Sequence, residues 1–105
     1  DTYGPIGPYL VTKDEIADIN NLNLSLDVNG KRMQTGNTNK MIFNVNFIVS
    51  YLSKFMSLQV GDIISTGTPP GVGMGKKPQV FLKAGDKLTL SIDHLGEQKS
   101  KVVLE

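Results

Sequence analysis

The sequence predicts an α+β, β-rich fold built around one main helix. Three observations carry this expectation. Leu22–Val28 alternates apolar and polar residues and runs directly into Asn29-Gly30. One segment, residues 45–56, carries apolar side chains at helical spacing. The remaining apolar residues fall in short runs punctuated by Gly, Pro and Asp. Short strands between turn signals, with a single helix, make a β-rich unit.

Each element has its own local cause. Residues 1–8 hold two prolines and two glycines, and a residue before proline is pushed to extended geometry, so no helix starts there. Tyr9-Leu10-Val11 is a short strand candidate. Thr12 with Glu15 fits a capping box for a brief helical turn over residues 13–17. Asn20-Asn21 breaks it. Leu22, Leu24, Leu26 and Val28 then face one side of a half-buried strand, with Asn23, Ser25 and Asp27 on the other. Asn29-Gly30 is a strong hairpin signal, because both residues tolerate the positive φ of a type I′ turn. The returning strand is expected over residues 31–34, followed by a polar turn over 35–40.

Asn44 reads as a helix N-cap. Val45, Ile48, Val49, Leu52, Phe55 and Met56 follow on one face of a helix of about 45–56. Beyond it, short strands are expected at 63–65, 80–82, 87–92 and 97–104, entered through Gly61-Asp62 and Gly85-Asp86 turns or the turn at 93–96.

Composition bounds the function. The chain has 105 residues, enough for one domain at most. Charged residues are 20% and the net charge is +1, so long-range electrostatics give no argument for nucleic acid or an anionic membrane as partner. No apolar run approaches the ~20 residues a membrane helix needs, and no signal-peptide pattern is present. There is no cysteine, hence no disulfide framework and no thiol nucleophile. One histidine excludes a multi-His metal site within the chain. Together these features point to a cytoplasmic location. The chain begins at Asp1 without Met, in a Gly/Pro-dense stretch, and reads like the interior of a longer polypeptide.

The densest chemical signal is Thr66-Gly67-Thr68-Pro69-Pro70-Gly71-Val72-Gly73. Hydroxyls and glycines at a strand end expose backbone N–H groups that can hold a carboxylate or phosphate oxygen. A connecting loop with glycines for its turns is the simpler alternative. The segment is neither a Walker loop, since Pro70 stands where a glycine is required, nor a dinucleotide fingerprint, since Lys76 does. His94 falls in a polar turn with no orienting carboxylate and is expected to be solvated. Asp62 and Asp86 are expected to serve their turns. Asp14, Glu15 and Asp18 lack the spacing of a calcium loop. Lys76, Lys77, Lys99 and Lys101 read as solvated faces. Tyr9, Phe43, Phe47 and Tyr51 read as core residues rather than a stacking platform.

Several segments, taken together, resemble one family. They are Asp1–Val11, Val28-Asn29-Gly30, Gln34–Thr38 with Met41-Ile42-Phe43, Tyr51-Leu52-Ser53, Gly61–Pro69 with Gly71-Val72-Gly73, and Gly85-Asp86. In order and spacing they resemble the fumarylacetoacetate hydrolase family across essentially the whole chain. Pro70–Lys77 with Phe81-Leu82-Lys83 is most similar to its bacterial 2,4-diketo-3-deoxy-L-fuconate hydrolase or ureidoglycolate lyase-like branch. The resemblance implies a mixed β-sandwich roll, a homodimer, and a small-molecule 2-oxo acid substrate. It also implies Mg²⁺ or Mn²⁺ bound through a Glu-x-Glu pair and a later Asp. Such an ion acts as a Lewis acid on the enolate formed when a C–C bond is cleaved.

The carry-over onto this chain is partial. No Glu-x-Glu occurs in it, so the metal ligands, and a lysine that helps hold substrate, are expected upstream of residue 1. The chain then represents the C-terminal portion of a single catalytic domain, incomplete and inactive alone, with no metal ligand of its own. By the resemblance Thr68, with Gly67 beside it, lies at the substrate carboxylate, and Thr2 lies near the metal. The expected activity is cleavage of an acylpyruvate or a 2,4-diketo sugar acid. Two alternatives stand beside it. One is decarboxylation or isomerisation on the same site. The other is a non-catalytic β-rich module that binds an anion or a partner.

Overall fold

The structure, a computed structural model, describes residues 2–104. Asp1, the first residue of the N-terminal motif, lies outside them. Four strands form one antiparallel sheet: β1 (Asn23–Val28), β2 (Lys31–Asn37), β3 (Lys87–Ile92) and β4 (Gly96–Lys101), in the order β2-β1-β3-β4. One helix, α1, spans Val45–Leu52, and three single 3-10 turns lie at Lys13–Glu15, Thr38–Lys40 and Gly73–Gly75.

The β1–β2 hairpin forms as its sequence dictates. Asn29 and Gly30 adopt φ of 52° and 76°, the left-handed pair that matches the twist of the flanking strands. The Asn29 side chain also joins this turn to the next strand pair. Its Oδ1 accepts from the Lys87 N–H and its Nδ2 donates to Asp86. That bond, followed by one from the Lys83 N–H, holds the Asp86 carboxyl below its ordinary pKa. Asp86 is therefore a turn residue, as expected. Asp62 is another, accepting from the Gln59 N–H.

The pairing register is not regular. Leu26 opposes Gln34, yet Asp27 opposes Arg32, so Met33 is an extra residue in β2. This β-bulge carries Arg32 to the same face as Asp27, and the two form an ion pair. On the opposite face Leu24, Leu26, Leu88, Leu90 and Ile92 line up along the two central strands. Ser25, Asp27, Thr89 and Ser91 occupy the polar side, as the alternation predicts.

Several expectations are corrected. β2 extends to Asn37, through residues expected to turn. Its pairing with β1 continues to Asn23↔Asn37, so polar side chains there are carried by ladder bonds. Tyr9–Val11, Ile63–Ser65 and Val80–Leu82 are not strands. No ladder partner lies beside them among the described residues, and a strand exists only through its pairing. The Thr12–Glu15 capping box is absent. The Thr12 side chain makes no cap bond, and the chain is extended again by Ile16.

α1 starts where expected, with the Asn44 side chain accepting from the Phe47 N–H at 2.8 Å. It stops at Leu52, four residues short of Met56. There the Ser53 hydroxyl bonds the Val49 carbonyl, and the following turns tighten. Replacing Asn44 with alanine is expected to cost about 1 kcal/mol of stability, read as a lower urea midpoint at unchanged slope. An unshifted midpoint would show that the cap contributes nothing.

The aromatic residues expected in the core are exposed instead: Tyr9 59%, Phe43 56%, Phe47 48% and Tyr51 50%. Phe43, Phe47 and Tyr51 stack in succession along the helix and Tyr51 meets Phe55 at a tilt just past its end, with ring centroids 4.7 to 6.0 Å apart. The physical reason is that, among the described residues, no second layer faces them. Extensive contacts between elements are strand to strand, and α1 makes none of that extent with the sheet. Among the described residues Leu22 is the buried apolar side chain and Gln34 the buried polar one. Lys76, expected to be solvated, is half-buried against the Met33 sulfur.

Candidate functional site

The apolar face of the sheet is bridged by two irregular segments rather than by a layer of regular structure. A transverse row of four residues explains how they are held. Gln34, Leu26, Leu90 and Gln98 stand opposite one another across β2, β1, β3 and β4. Leucines occupy the middle and amides the ends. At one edge the Gln98 side chain donates to the carbonyls of Pro5 and Gly7. At the other, Gln34 Nε2 donates to Thr68 Oγ1 at 2.9 Å and to the Pro69 carbonyl at 2.6 Å. Each amide ties one segment across the face.

Between the two segments lies a cavity of about 520 Å³, within the size range of small-molecule sites. Its floor is Leu24, Leu26, Leu90 and Ile92. Residues 5–11 form one wall, and Gly67, Thr68 and Pro69 the other. Among the described residues no side chain lining it carries a formal charge, and Tyr9 is the one ionisable group there. An anion entering here would meet hydroxyl, amide and backbone donors rather than a cationic side chain.

The loop approaches β2 closely because two glycines permit it. A Cβ on Gly36 would lie 2.7 Å from Pro69 Cβ. Gly71 has φ of +113°, and a Cβ on it would lie 2.2 Å from the Met33 carbonyl oxygen. The bulge residue and the loop glycine thus meet backbone to side, with room for hydrogen only.

Of the residues singled out in the sequence, the structure brings Gly67 and Thr68 to the cavity. Among the described residues no protein acceptor takes the N–H of either, so both remain available donors. Thr2 is exposed and does not line the cavity. His94 is exposed in its turn, with φ of 64°. Sequence reasoning missed Gln34. Counting from the Asn29-Gly30 turn, a regular hairpin sets Gln34 opposite Ser25 on the polar face. Only the bulge at Met33 turns it inward, and nothing local in the sequence marks that bulge.

Among the described residues no group of three His, Asp or Glu side chains comes together to hold a metal ion. The residues here do not by themselves fit the divalent ion that the family resemblance implies. Nor is any helix among them long and apolar enough to cross a membrane.

Comparison with known proteins adds to this geometry. The family model "Fumarylacetoacetate (FAA) hydrolase C-terminal" matches residues 1–103. The chain is 56% identical over 103 residues to a 2,4-didehydro-3-deoxy-L-rhamnonate hydrolase of Sphingomonas sp. (strain SKA58), covering 97% of this chain and 36% of that one. It is similar in structure to fumarylacetoacetate hydrolase from psychrophilic Exiguobacterium antarcticum, with a TM-score of 0.93 and 40% identity over 96% of this chain and 36% of that one. Maleylpyruvate hydrolase from Sphingobium sp. SYK-6, solved in complex with manganese (II) ion and pyruvate, superposes with a TM-score of 0.89 and 37% identity, covering 98% of this chain and 36% of that one. The chain therefore spans about a third of the length of the relatives it matches.

Proposed function

Because the chain belongs to the fumarylacetoacetate hydrolase family, matching its C-terminal region over residues 1–103, we propose that it is the C-terminal portion of a catalytic domain that hydrolyses a C–C bond in a 2-oxo acid. The substrate class is an acylpyruvate or a 2,4-diketo sugar acid, and the working enzyme is a divalent-metal-dependent homodimer. Two of the relatives named above support this class, being hydrolases of a 2,4-didehydro-3-deoxy sugar acid and of maleylpyruvate; the fumarylacetoacetate hydrolase supports the hydrolase activity alone.

The observation in this chain that best supports the reading is Thr68. Its hydroxyl oxygen is occupied by the Gln34 amide, so its proton is free to donate at the cavity wall. With its own N–H and that of Gly67, this makes a set of donors for the substrate carboxylate. The uncharged cavity floor takes the less polar part of the acid. In the reaction, the hydroxyl of a water goes to the acyl carbon. The electron pair of the broken C–C bond stays on the other fragment as an enolate, which takes up a proton to give the free 2-oxo acid. The divalent ion is assigned to residues other than those described here.

Two measurements test this. In the intact enzyme, a panel of acylpyruvates and 2,4-diketo sugar acids followed by NMR is expected to give two carboxylic acid products. Carbon dioxide or an isomer as the only product would replace hydrolysis by decarboxylation or isomerisation. Calorimetric titration of Mg²⁺ and Mn²⁺ into the 105-residue chain, with and without oxalate, is expected to give no binding. Stoichiometric binding would overturn the assignment of the ligands elsewhere and return the acidic turn residues to consideration.

A further inference from the structure

We propose that Gln34 is a positioning residue that sets the polarity of Thr68, making its hydroxyl a fixed donor toward the cavity; this rests on the reading of Thr68 as a substrate-carboxylate residue. Two observations carry it. Gln34 is the buried polar side chain among the described residues, 9% exposed, at the edge of a face whose two central strands are apolar. A buried amide there is costly unless its hydrogen bonds are made. Its Nε2 makes two, to Thr68 Oγ1 and to the Pro69 carbonyl.

The Pro69 carbonyl decides the orientation. A carbonyl oxygen only accepts, so the Gln34 atom facing it is the NH₂ and not the amide oxygen. Both amide protons are then committed, one to Pro69 and one to Thr68. Thr68 Oγ1 must accept from Gln34, and among the described residues nothing accepts its own proton. A free serine or threonine hydroxyl rotates to suit either a donor or an acceptor. Held this way, Thr68 offers a proton and selects an anionic or carbonyl oxygen over a donor group. The site then gains both charge selectivity and reduced rotational freedom without a cationic side chain.

The test is pyruvate affinity of the intact enzyme, measured by calorimetry, with melting temperatures recorded in parallel. Gln34→Leu puts an apolar side chain beside Leu26, so it keeps the fold while losing both donors. It is expected to weaken pyruvate binding about tenfold. In the Gln34→Leu/Thr68→Val double variant the loss is expected to be no greater than in Thr68→Val alone, since one residue acts through the other. Gln34→Glu supplies a second signature. When ionised, the carboxylate accepts the Thr68 proton and pyruvate binding falls. When the pH is lowered, the protonated carboxyl can donate and binding recovers, a recovery that Gln34→Leu does not show. Among the described residues Tyr9 across the cavity, Asp86 in a second pocket that Gln34 also lines, and Lys76 against Met33 are the ionisable groups around this position. The unsubstituted enzyme measured over the same pH range accounts for them. Should Gln34→Glu not fold, the leucine cycle decides alone. Unchanged pyruvate affinity in Gln34→Leu, or additive losses in the double variant, would overturn the positioning role even with Thr68→Val impaired. Unchanged affinity in Thr68→Val would instead overturn the carboxylate reading on which it rests.

Discussion

Replacing Gly71 with alanine is expected to destabilise the chain by about 2–6 kcal/mol. Two costs add. The backbone at φ of +113° is a region that an L side chain rarely adopts. The new methyl would also sit 2.2 Å from the Met33 carbonyl oxygen, so loop or bulge must move. Gly61→Ala separates the two contributions. Gly61 has a comparable φ of +96°, but nothing lies within 4 Å of an added Cβ. Its substitution should cost only the backbone strain, about 1–3 kcal/mol. Urea denaturation of both variants measures the difference. Equal destabilisation would mean that the contact between Gly71 and the bulge contributes nothing. The loss matters for function because the same contact seats the loop that carries Thr68.

Thr68→Val in the intact enzyme is expected to weaken binding of pyruvate or oxalate about ten- to a hundredfold, the usual loss when a hydrogen bond to a charged group is removed. Valine matches threonine in shape, so the cavity wall remains. The affinity for Mn²⁺ is expected to stay nearly constant, because Thr68 is assigned to the substrate and not to the ion. Thr68→Ser, which restores the hydroxyl, should recover most of the binding. A variant that loses metal and pyruvate together would point to general collapse of the site, and one that loses neither would remove Thr68 from it.

Much of the local structure is legible in the sequence. Asn29-Gly30 needs no partner to specify its turn, because both residues tolerate positive φ. Asn44 caps α1 through its own side chain and the N–H three residues on. The alternation of Leu24 and Leu26 with Ser25 and Asp27 declares which side of β1 is apolar. Each of these signals lies within a few residues of the atoms it governs. The loop from Thr66 to Gly73 was also visible, as a cluster of small residues with donor groups. The segments at 9–11, 63–65 and 80–82 show the limit of such signals. Their β-branched and apolar residues favour extended chain, but pairing needs a second edge, and among the described residues none is beside them. The aromatic face of α1 illustrates the same limit. Its periodicity marks an apolar stripe, while burial depends on a facing layer.

The sequence by itself determined the hairpin turn, the helix start, the polarity of the central strand and the family. Tertiary structure alone decided which side chain meets Thr68. The extra residue at Met33 shifts the register of β2 by one, and a one-residue shift turns a side chain to the other face of a sheet. Gln34 therefore points into the apolar side, where it meets Thr68 and Pro69, residues more than thirty positions away. Pairing register is a property of two strands and the loop packed on them, so no single stretch of sequence contains it.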